Sequence, residues 1–168
     1  LSEIKKVVEN AQISLNTEIK VIKKLSEECL NQKVKHKIIL MVEMGDLREG
    51  IPDKNLDKTI KEIKKLDGIE LYGIGMNLAC FGGVVPTKEK IEGFLDIVKK
   101  TEEKHNLNFK MISGGNSANI PLLLKNQEKT RINNLRIGEG ILLGLETVNR
   151  TPIPNTYQDT FILEAEII

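Results

Sequence analysis

Four short groups of glycine and polar residues carry most of the side chains in this sequence that could do chemistry. They are residues 43–50 (EMGDLREG), 73–77 (GIGMN), 113–119 (SGGNSAN) and 136–140 (RIGEG). The third offers a hydroxyl, N–H groups freed by glycine and a following helix, and the fourth is another glycine-rich turn. Neutral donors of this kind hold phosphate in proteins. No P-loop lysine follows, and GIGMNL lacks the third glycine of a dinucleotide motif, so neither nucleotide motif is indicated.

Two arginines and two carboxylates lie in or beside these groups. Arg48 and Arg136 lie at equivalent ends of predicted strands, and two guanidinium groups beside a phosphate site favour planar recognition of an aromatic, phosphorylated cofactor. A salt bridge to a nearby carboxylate explains each arginine taken alone. Glu43 and Asp46 could receive the distal amine of a basic amino acid, or could pair with Arg48. Cys80 could line the same pocket or serve only to fill space.

The elements that must position these groups alternate between strand-like and helix-like stretches. We predict strands at residues 12–15, 37–44, 69–76, 109–113 and 132–137, with helices between them, one after Thr17 and one capped by Thr87. Strands separated by single helices pair in parallel. The prediction is therefore an α/β fold, either a partial (β/α)8 TIM-type barrel or a doubly wound sheet. In both folds the loops after the strands converge on one ligand pocket.

The chain divides into two predicted regions. Residues 1–150 form the barrel region, in which five strands cannot close an eight-stranded barrel, so about three would be missing. Residues 151–168 form a linker and the first strand of a further β domain, because Glu164 and Glu166 alternate with apolar residues. The sequence starts without an initiator methionine and ends in an apolar run, so we expect both ends to be cuts in a longer protein.

Composition narrows the class of protein. Lys and Arg number 25 against 24 acidic residues, a net charge of +1, which argues against nucleic acid as the main partner. We expect no signal peptide, and the sequence contains no apolar window of the roughly 18 residues that a membrane helix needs. The two cysteines form no CxxC pair, so no disulfide or zinc site is indicated and a reduced cytoplasm is expected. His36 precedes a strand and is expected at the rim opposite the pocket.

The four groups lie within longer segments that resemble one known family. The segments are MVEMGDLREGI, GIGMNLACFGG, ISGGNSANIP and NNLRIGEGILLG. In order and spacing they resemble the alanine/ornithine racemase family of fold-type III pyridoxal-phosphate enzymes, matching the central and C-terminal part of its barrel over essentially the whole chain. The resemblance implies a cytoplasmic, homodimeric racemase that uses pyridoxal 5'-phosphate and interconverts L and D amino acids by removing and returning the Cα proton. Alanine or ornithine is the implied substrate.

The resemblance also implies the contacts of the cofactor. Arg48 matches the arginine that hydrogen-bonds the phenolic oxygen. Asn77 stands where alanine racemases carry a histidine packed against the pyridine ring. Ser117 matches the phosphate-binding serine, which backbone N–H groups at Gly138 and Glu139 assist.

Arg136 matches the arginine that faces the pyridine nitrogen. A guanidinium can only donate, so that nitrogen must remain unprotonated in order to accept. The ring is then a weaker electron sink than a pyridinium, and reprotonation at Cα is favoured over transamination.

No catalytic residue is expected within residues 1–168. The family's Schiff-base lysine would lie before Leu1, and its catalytic tyrosine, which the partner subunit supplies, would lie after Ile168, so we expect this segment alone to be inactive. Two other functions fit the same motifs. One is a non-catalytic barrel protein of pyridoxal-phosphate homeostasis, which would end with the barrel. The other is an unrelated barrel enzyme that binds a phosphorylated metabolite at Ser117 and Gly138.

Overall fold

Helices and strands alternate along the whole barrel region of the chain. The computed structural model describes residues 1–79, 83–125 and 130–166. The helices are α1 (Ile4–Asn10), α2 (Ile19–Gln32), α3 (Asp53–Ile63), α4 (Lys88–His105), α5 (Ile120–Lys125) and α6 (Glu139–Leu143), with a 3-10 turn at Ser117–Asn119. The strands are β1 (Ile13–Asn16), β2 (His36–Val42), β3 (Ile69–Met76), β4 (Met111–Asn116) and β5 (Asn134–Arg136). All five predicted strands are therefore confirmed, with ends that differ by a few residues.

The five strands form one parallel sheet whose spatial order, β1-β2-β3-β4-β5, is the order of the chain. A doubly wound sheet reverses direction at a switch point, whereas a (β/α) barrel adds each new strand beside the last. The sequential order therefore supports the barrel and not the doubly wound alternative. It also places all the strand-following loops at one edge, which we call the carboxyl edge.

The main core lies between the sheet and the helices. Buried side chains of β2, β3 and β4 meet the apolar faces of α2, α3 and α4, and the core includes Ile22, Leu25, Ile38, Leu40, Val42, Ile60, Ile63, Ile74, Met76, Phe94, Val98 and Ile112. β2 is buried almost throughout, as its unbroken apolar run predicts. Helix α4 begins as predicted, since the Thr87 hydroxyl accepts the N–H of Lys90 at 3.3 Å. Helix α2 begins at Ile19 with Glu18 as its N-cap, so the predicted cap at Thr17 is one residue early.

Two glycines of the GIGMN group lie within β3 and not in the loop that follows it. A Cβ at Gly75 would come within 3.0 Å of the Met41 sulfur and of the Ser113 Cβ, while one at Gly73 would meet the backbone of Met111. These glycines therefore allow close contact across the face of the sheet that turns away from the helices. They position the strand and supply no phosphate-binding turn.

The described part of the C-terminal stretch lies outside the sheet. Residues 160–166 form no strand and pair with none of the described strands, and Ile162 and Leu163 are 80% and 94% exposed. A strand requires a neighbouring edge to complete its hydrogen bonds, and sequence alternation alone cannot provide that edge. No strand is therefore present over residues 160–166, the predicted start of a further β domain stays a prediction, and residues 167–168 lie outside the described part of the chain. Among the described residues, no helix combines the length and apolarity needed to cross a bilayer.

Candidate functional site

Arg48 and Arg136 meet through a shared carboxylate at the carboxyl edge. Glu49 Oε1 lies 3.6 Å from Arg48 Nη2 and 3.4 Å from Arg136 Nη2. Arg136 ends β5 whereas Arg48 lies in the loop after β2, so this loop reaches the end of a strand that is three places away in the sheet. The structure thus brings the two predicted arginines together, and sequence reasoning missed the glutamate that joins them.

Arg136 has unused hydrogen-bonding capacity. Its Nε is buried and has no hydrogen-bond partner among the described residues, although a guanidinium offers five N–H donors. A buried donor without an acceptor lowers stability unless a ligand or water supplies one. The side chain of Arg48 is about half exposed, and its Nε lies 3.9 Å from Asp46 Oδ2. We call the part of the carboxyl edge around Arg48 and Arg136 the mouth. It holds the buried Nε of Arg136, which needs an acceptor, and the accessible guanidinium of Arg48.

Asn116 connects the ends of three neighbouring strands. It is the last residue of β4 and pairs in register with Arg136 of β5. Its Nδ2 donates to Asn77 Oδ1 at 2.9 Å and to the Leu78 carbonyl at 2.8 Å, both just after β3. Its Oδ1 accepts the N–H of Ala118 at 2.8 Å and so begins the 3-10 turn that contains Ser117. Asn116 therefore places Asn77, Ser117 and Arg136 in one cluster.

Asn77 is only 2% exposed, and its Nδ2 has no hydrogen-bond partner among the described residues. Ser113, on the neighbouring β4, is fully buried and its hydroxyl is likewise without a described partner. Asn77 directly follows β3, whereas Ser113 is the third of the six residues of β4. Asn77 Nδ2 and Arg136 Nε are thus two buried donors at the carboxyl edge that lack partners among the described residues, and the Ser113 hydroxyl is a further such group within the sheet.

Ser117 lies opposite the turn that follows β5. Its hydroxyl is buried and accepts the N–H of Gly140 at 3.2 Å. The space beside Gly138 is open, because a Cβ built there would have no heavy atom within 4 Å. The carboxylate of Glu139 turns away to Arg150, with 2.9 Å between Oε1 and Nη1, so any contribution of Glu139 to the mouth must come from its backbone.

The two carboxylates predicted to contact substrate have different surroundings. Glu43 Oε1 accepts the N–H groups of Gly45 at 2.5 Å and Leu47 at 3.0 Å, so this side chain shapes its own loop. The Asp46 side chain is buried and faces Gly83 as well as Arg48. Of these two predicted carboxylates, Asp46 is therefore the one that approaches Arg48. Cys80, the other candidate for lining the pocket, lies outside the described residues.

A buried carboxylate holds the turn that leads away from α6. Glu146 is 2% exposed and accepts the N–H groups of Val148 at 2.8 Å, Asn149 at 2.7 Å and Thr151 at 3.2 Å. Burial alone would raise the pKa of Glu146, but these backbone hydrogen bonds outweigh it, and the pKa lies below its ordinary value. Glu146 is thus a structural anion that supports the region behind the mouth.

His36 lies at the opposite edge, as predicted. It begins β2, and its Nε2 lies 2.8 Å from the Ser14 hydroxyl. Burial lowers the pKa of His36 and so favours the neutral form of the ring. The contact belongs to the core between the sheet and the helices and is remote from the arginines.

The chain is similar to known proteins both in sequence and in fold. The family model described as "Alanine racemase, N-terminal domain" matches residues 1–145. An ornithine racemase of Acetoanaerobium sticklandii is 40% identical over the whole chain, which covers 48% of that relative. A lysine racemase of Thermotoga maritima is 39% identical over the whole chain, which covers 47% of it. The chain therefore spans about half the length of these curated relatives.

Solved structures show the same fold. An alanine racemase of Clostridium difficile in complex with cycloserine superposes with a TM-score of 0.67 at 16% identity, over 96% of this chain and 42% of that one. PipY of Synechococcus elongatus with pyridoxal phosphate bound superposes with a TM-score of 0.65 at 16% identity, over 82% of this chain and 63% of that one. The five parallel strands are accordingly a half-barrel of the alanine racemase type. Fold, motifs and family model agree, and the chain belongs to the alanine racemase N-terminal domain family.

Proposed function

We propose that the whole protein is an amino-acid racemase that uses pyridoxal phosphate and interconverts L and D amino acids. One observation carries the proposal. At a single carboxyl edge, Glu49 joins Arg48 to Arg136, and Arg136 is paired in the sheet with Asn116, which precedes the buried Ser117 hydroxyl. This combination suits an aromatic ring with a phosphate at one end. The family match and the two racemase relatives support the same reaction.

The residues present fit the cofactor. Ser117 and the open turn at Gly138 offer a hydroxyl and backbone N–H groups for the phosphate. The buried Nε of Arg136 is a donor without a described acceptor, which suits the pyridine nitrogen. Arg48 is accessible and suits the phenolic oxygen. The Nδ2 of Asn77 is a further buried donor at the same edge.

These side chains determine how the cofactor would be used. Bound pyridoxal phosphate supplies the electron sink that makes the Cα proton of an amino acid removable. Arg136 can only donate a hydrogen bond, so it keeps the pyridine nitrogen unprotonated and the sink weak. The proton is then returned to Cα more readily than it is placed elsewhere, which favours racemisation over transamination. Ser117 would hold the phosphate of the cofactor, while Arg136 would hold its ring.

The substrate we favour is a basic amino acid. The two relatives of about 40% identity are named ornithine and lysine racemase, and both of those substrates carry a distal amine. Asp46 provides a buried carboxylate in the loop that contains Arg48, while Glu43 is engaged with its own backbone. Asp46 is therefore the carboxylate we assign to the distal amine. We expect the whole protein to act as a cytoplasmic homodimer.

The test uses the purified whole protein. On titration with pyridoxal phosphate it should become yellow, and borohydride should fix the cofactor to the protein. Chiral chromatography should then show ornithine or lysine racemised faster than alanine. Fixed cofactor without racemisation of any amino acid would favour the second candidate, a non-catalytic barrel protein of pyridoxal-phosphate homeostasis; PipY, which has the same fold, was solved with pyridoxal phosphate bound. Failure to bind pyridoxal phosphate would refute both.

A further inference from the structure

We propose that Asn116 is a positioning residue that presents the Nδ2 of Asn77 as a hydrogen-bond donor to the ring end of bound pyridoxal phosphate. The inference rests on the proposed function, because it names how the ring of the proposed cofactor is held. It concerns two amides on adjacent strands and assigns neither of them to proton transfer.

The carboxamide of Asn116 is fully engaged. A side-chain amide has two N–H donors and one carbonyl acceptor. Both donors face acceptors just after β3, namely Asn77 Oδ1 at 2.9 Å and the Leu78 carbonyl at 2.8 Å. Its own oxygen accepts the N–H of Ala118 at 2.8 Å. These contacts allow only one orientation of the amide, because turning it over would place donor against donor and acceptor against acceptor.

The orientation of Asn116 determines that of Asn77. Since Asn77 Oδ1 must accept from Asn116, its Nδ2 must point elsewhere, and that nitrogen is buried and lacks a described partner. Asn77 has little freedom to turn, because it is 2% exposed and lies close to Gly115, where a Cβ would come within 3.6 Å of the Asn77 Cα. A buried donor held in this way is unfavourable until a ligand accepts from it. Asn77 lies at the same edge as Arg48 and Arg136, which we assign to the ring.

Asn133 offers a matched control on the neighbouring pair of strands, β4 and β5. It lies just before β5, and its Oδ1 accepts the N–H of Ile112 at 2.8 Å while its Nδ2 donates to the Lys110 carbonyl at 2.9 Å. Asn133 thus makes the same kind of bridge between neighbouring strands as Asn116, but it does so at the amino end of the sheet, where β4 and β5 begin. Loss of a bridge costs stability at either position, whereas only Asn116 is predicted to affect the cofactor.

The experiment compares Asn116→Asp with Asn133→Asp in the whole protein. Asn116→Asp keeps the oxygen that accepts from Ala118 but replaces the amide nitrogen by an oxygen that faces two acceptors. We expect about a tenfold loss of affinity for pyridoxal phosphate, the effect of one lost hydrogen bond together with an unfavourable contact. The absorption maximum of bound cofactor should also shift. Asn133→Asp should leave affinity within about twofold.

Inorganic phosphate, used as a competitor of pyridoxal phosphate, separates an effect on binding of the ring from an effect on the phosphate site at Ser117 and Gly138. Its inhibition constant should be unchanged in Asn77→Ala, which leaves the cap of the turn at Ser117 in place and adds no charge beside the phosphate site. A parallel loss of phosphate affinity in Asn77→Ala would show that Asn77 acts on the phosphate and not on the ring, and would overturn the inference. Equal affinities of the Asn116 and Asn133 variants for pyridoxal phosphate would overturn it as well.

A second variant keeps the test decisive if Asn116→Asp does not fold. Asn77→Ala should reproduce the loss of affinity and the spectral shift with Asn116 in place, and adding Asn116→Asp to it should cause no further loss. Additive losses, or an Asn77→Ala variant that binds normally, would contradict the inference. Should the unmodified protein fail to bind pyridoxal phosphate, the proposed function would fail first and the inference with it.

Discussion

The two ends of β5 carry arginines in contrasting states. Arg131, before the strand, forms two short contacts with Glu102, of 2.8 Å and 3.0 Å, and Glu102 also accepts the N–H of Phe109 at 2.9 Å. Arg136, at the end of the strand, is 3.4 Å from Glu49, and its buried Nε lacks a described partner. The first arginine is satisfied by the fold, whereas the second retains a donor for something else. The comparison separates residues that stabilise the sheet from residues that serve a ligand.

The largest effect should come from Arg136→Glu. We expect affinity for pyridoxal phosphate to fall about 100-fold, because a charged donor is replaced by a carboxylate. Any remaining turnover should show more transamination, since a carboxylate can hold the pyridine nitrogen protonated. Titration with the cofactor and assay of the pyridoxamine form measure the two effects. Unchanged affinity and unchanged partitioning would place Arg136 with Arg131, as a residue of the fold.

The next largest effect should be on stability, at Glu146. Glu146→Gln replaces an acceptor of three backbone N–H groups by an amide that brings its own donor, so the free energy of unfolding should fall by about 2 kcal/mol. Because the pKa of Glu146 is lowered in the folded state, its contribution is complete above the ordinary value of 4.5 and is lost as the pH falls through the lowered pKa. Urea unfolding at neutral and acidic pH should show the difference from the unmodified protein shrinking in acid. Glu103→Gln, at an exposed pair with Lys99 of 4.0 Å, should change little at either pH.

A smaller effect is expected at Arg131, where removal of the arginine should affect the stability of the fold and not the binding of the cofactor. Arg131→Ala should lower the free energy of unfolding by about 1 kcal/mol, since the guanidinium is nearly half exposed and the pair is partly screened. Arg131 holds the pKa of Glu102 below its ordinary value of 4.5, so the loss should be seen above that pH and should fade below it. Affinity for pyridoxal phosphate should stay within about twofold. A marked loss of affinity would remove the distinction between the two ends of β5.

Local sequence patterns predicted the strands and the edge at which the polar groups meet. The unbroken apolar run of β2 and the apolar spacing of α3 reflect burial that each segment carries in its own composition. Parallel pairing then follows from single-helix connections, and with it the placement of Arg48, Ser117 and Arg136 at one edge.

Features that depend on contacts between distant segments could not be predicted in this way. Glu49 meets Arg136 across 87 positions of sequence, and nothing beside Glu49 marks it as a bridge. Asn116 stands in the polar group SGGNSAN, but its reach to Asn77 requires the adjacent strands to be in register. Gly73 and Gly75 lie within the predicted strand at residues 69–76, but the close contacts that they allow with Met111 and Met41 depend on the neighbouring strands. The stretch 160–166 alternates like a strand, but it has no described edge to pair with.

The most direct test of a common site at the carboxyl edge is a crystal structure of the protein grown with pyridoxal phosphate. We predict one bound cofactor, with its phosphate within hydrogen-bond distance of the Ser117 hydroxyl and its pyridine nitrogen facing Arg136 Nε. Cofactor bound elsewhere, or bound without contact to both Ser117 and Arg136, would contradict the account.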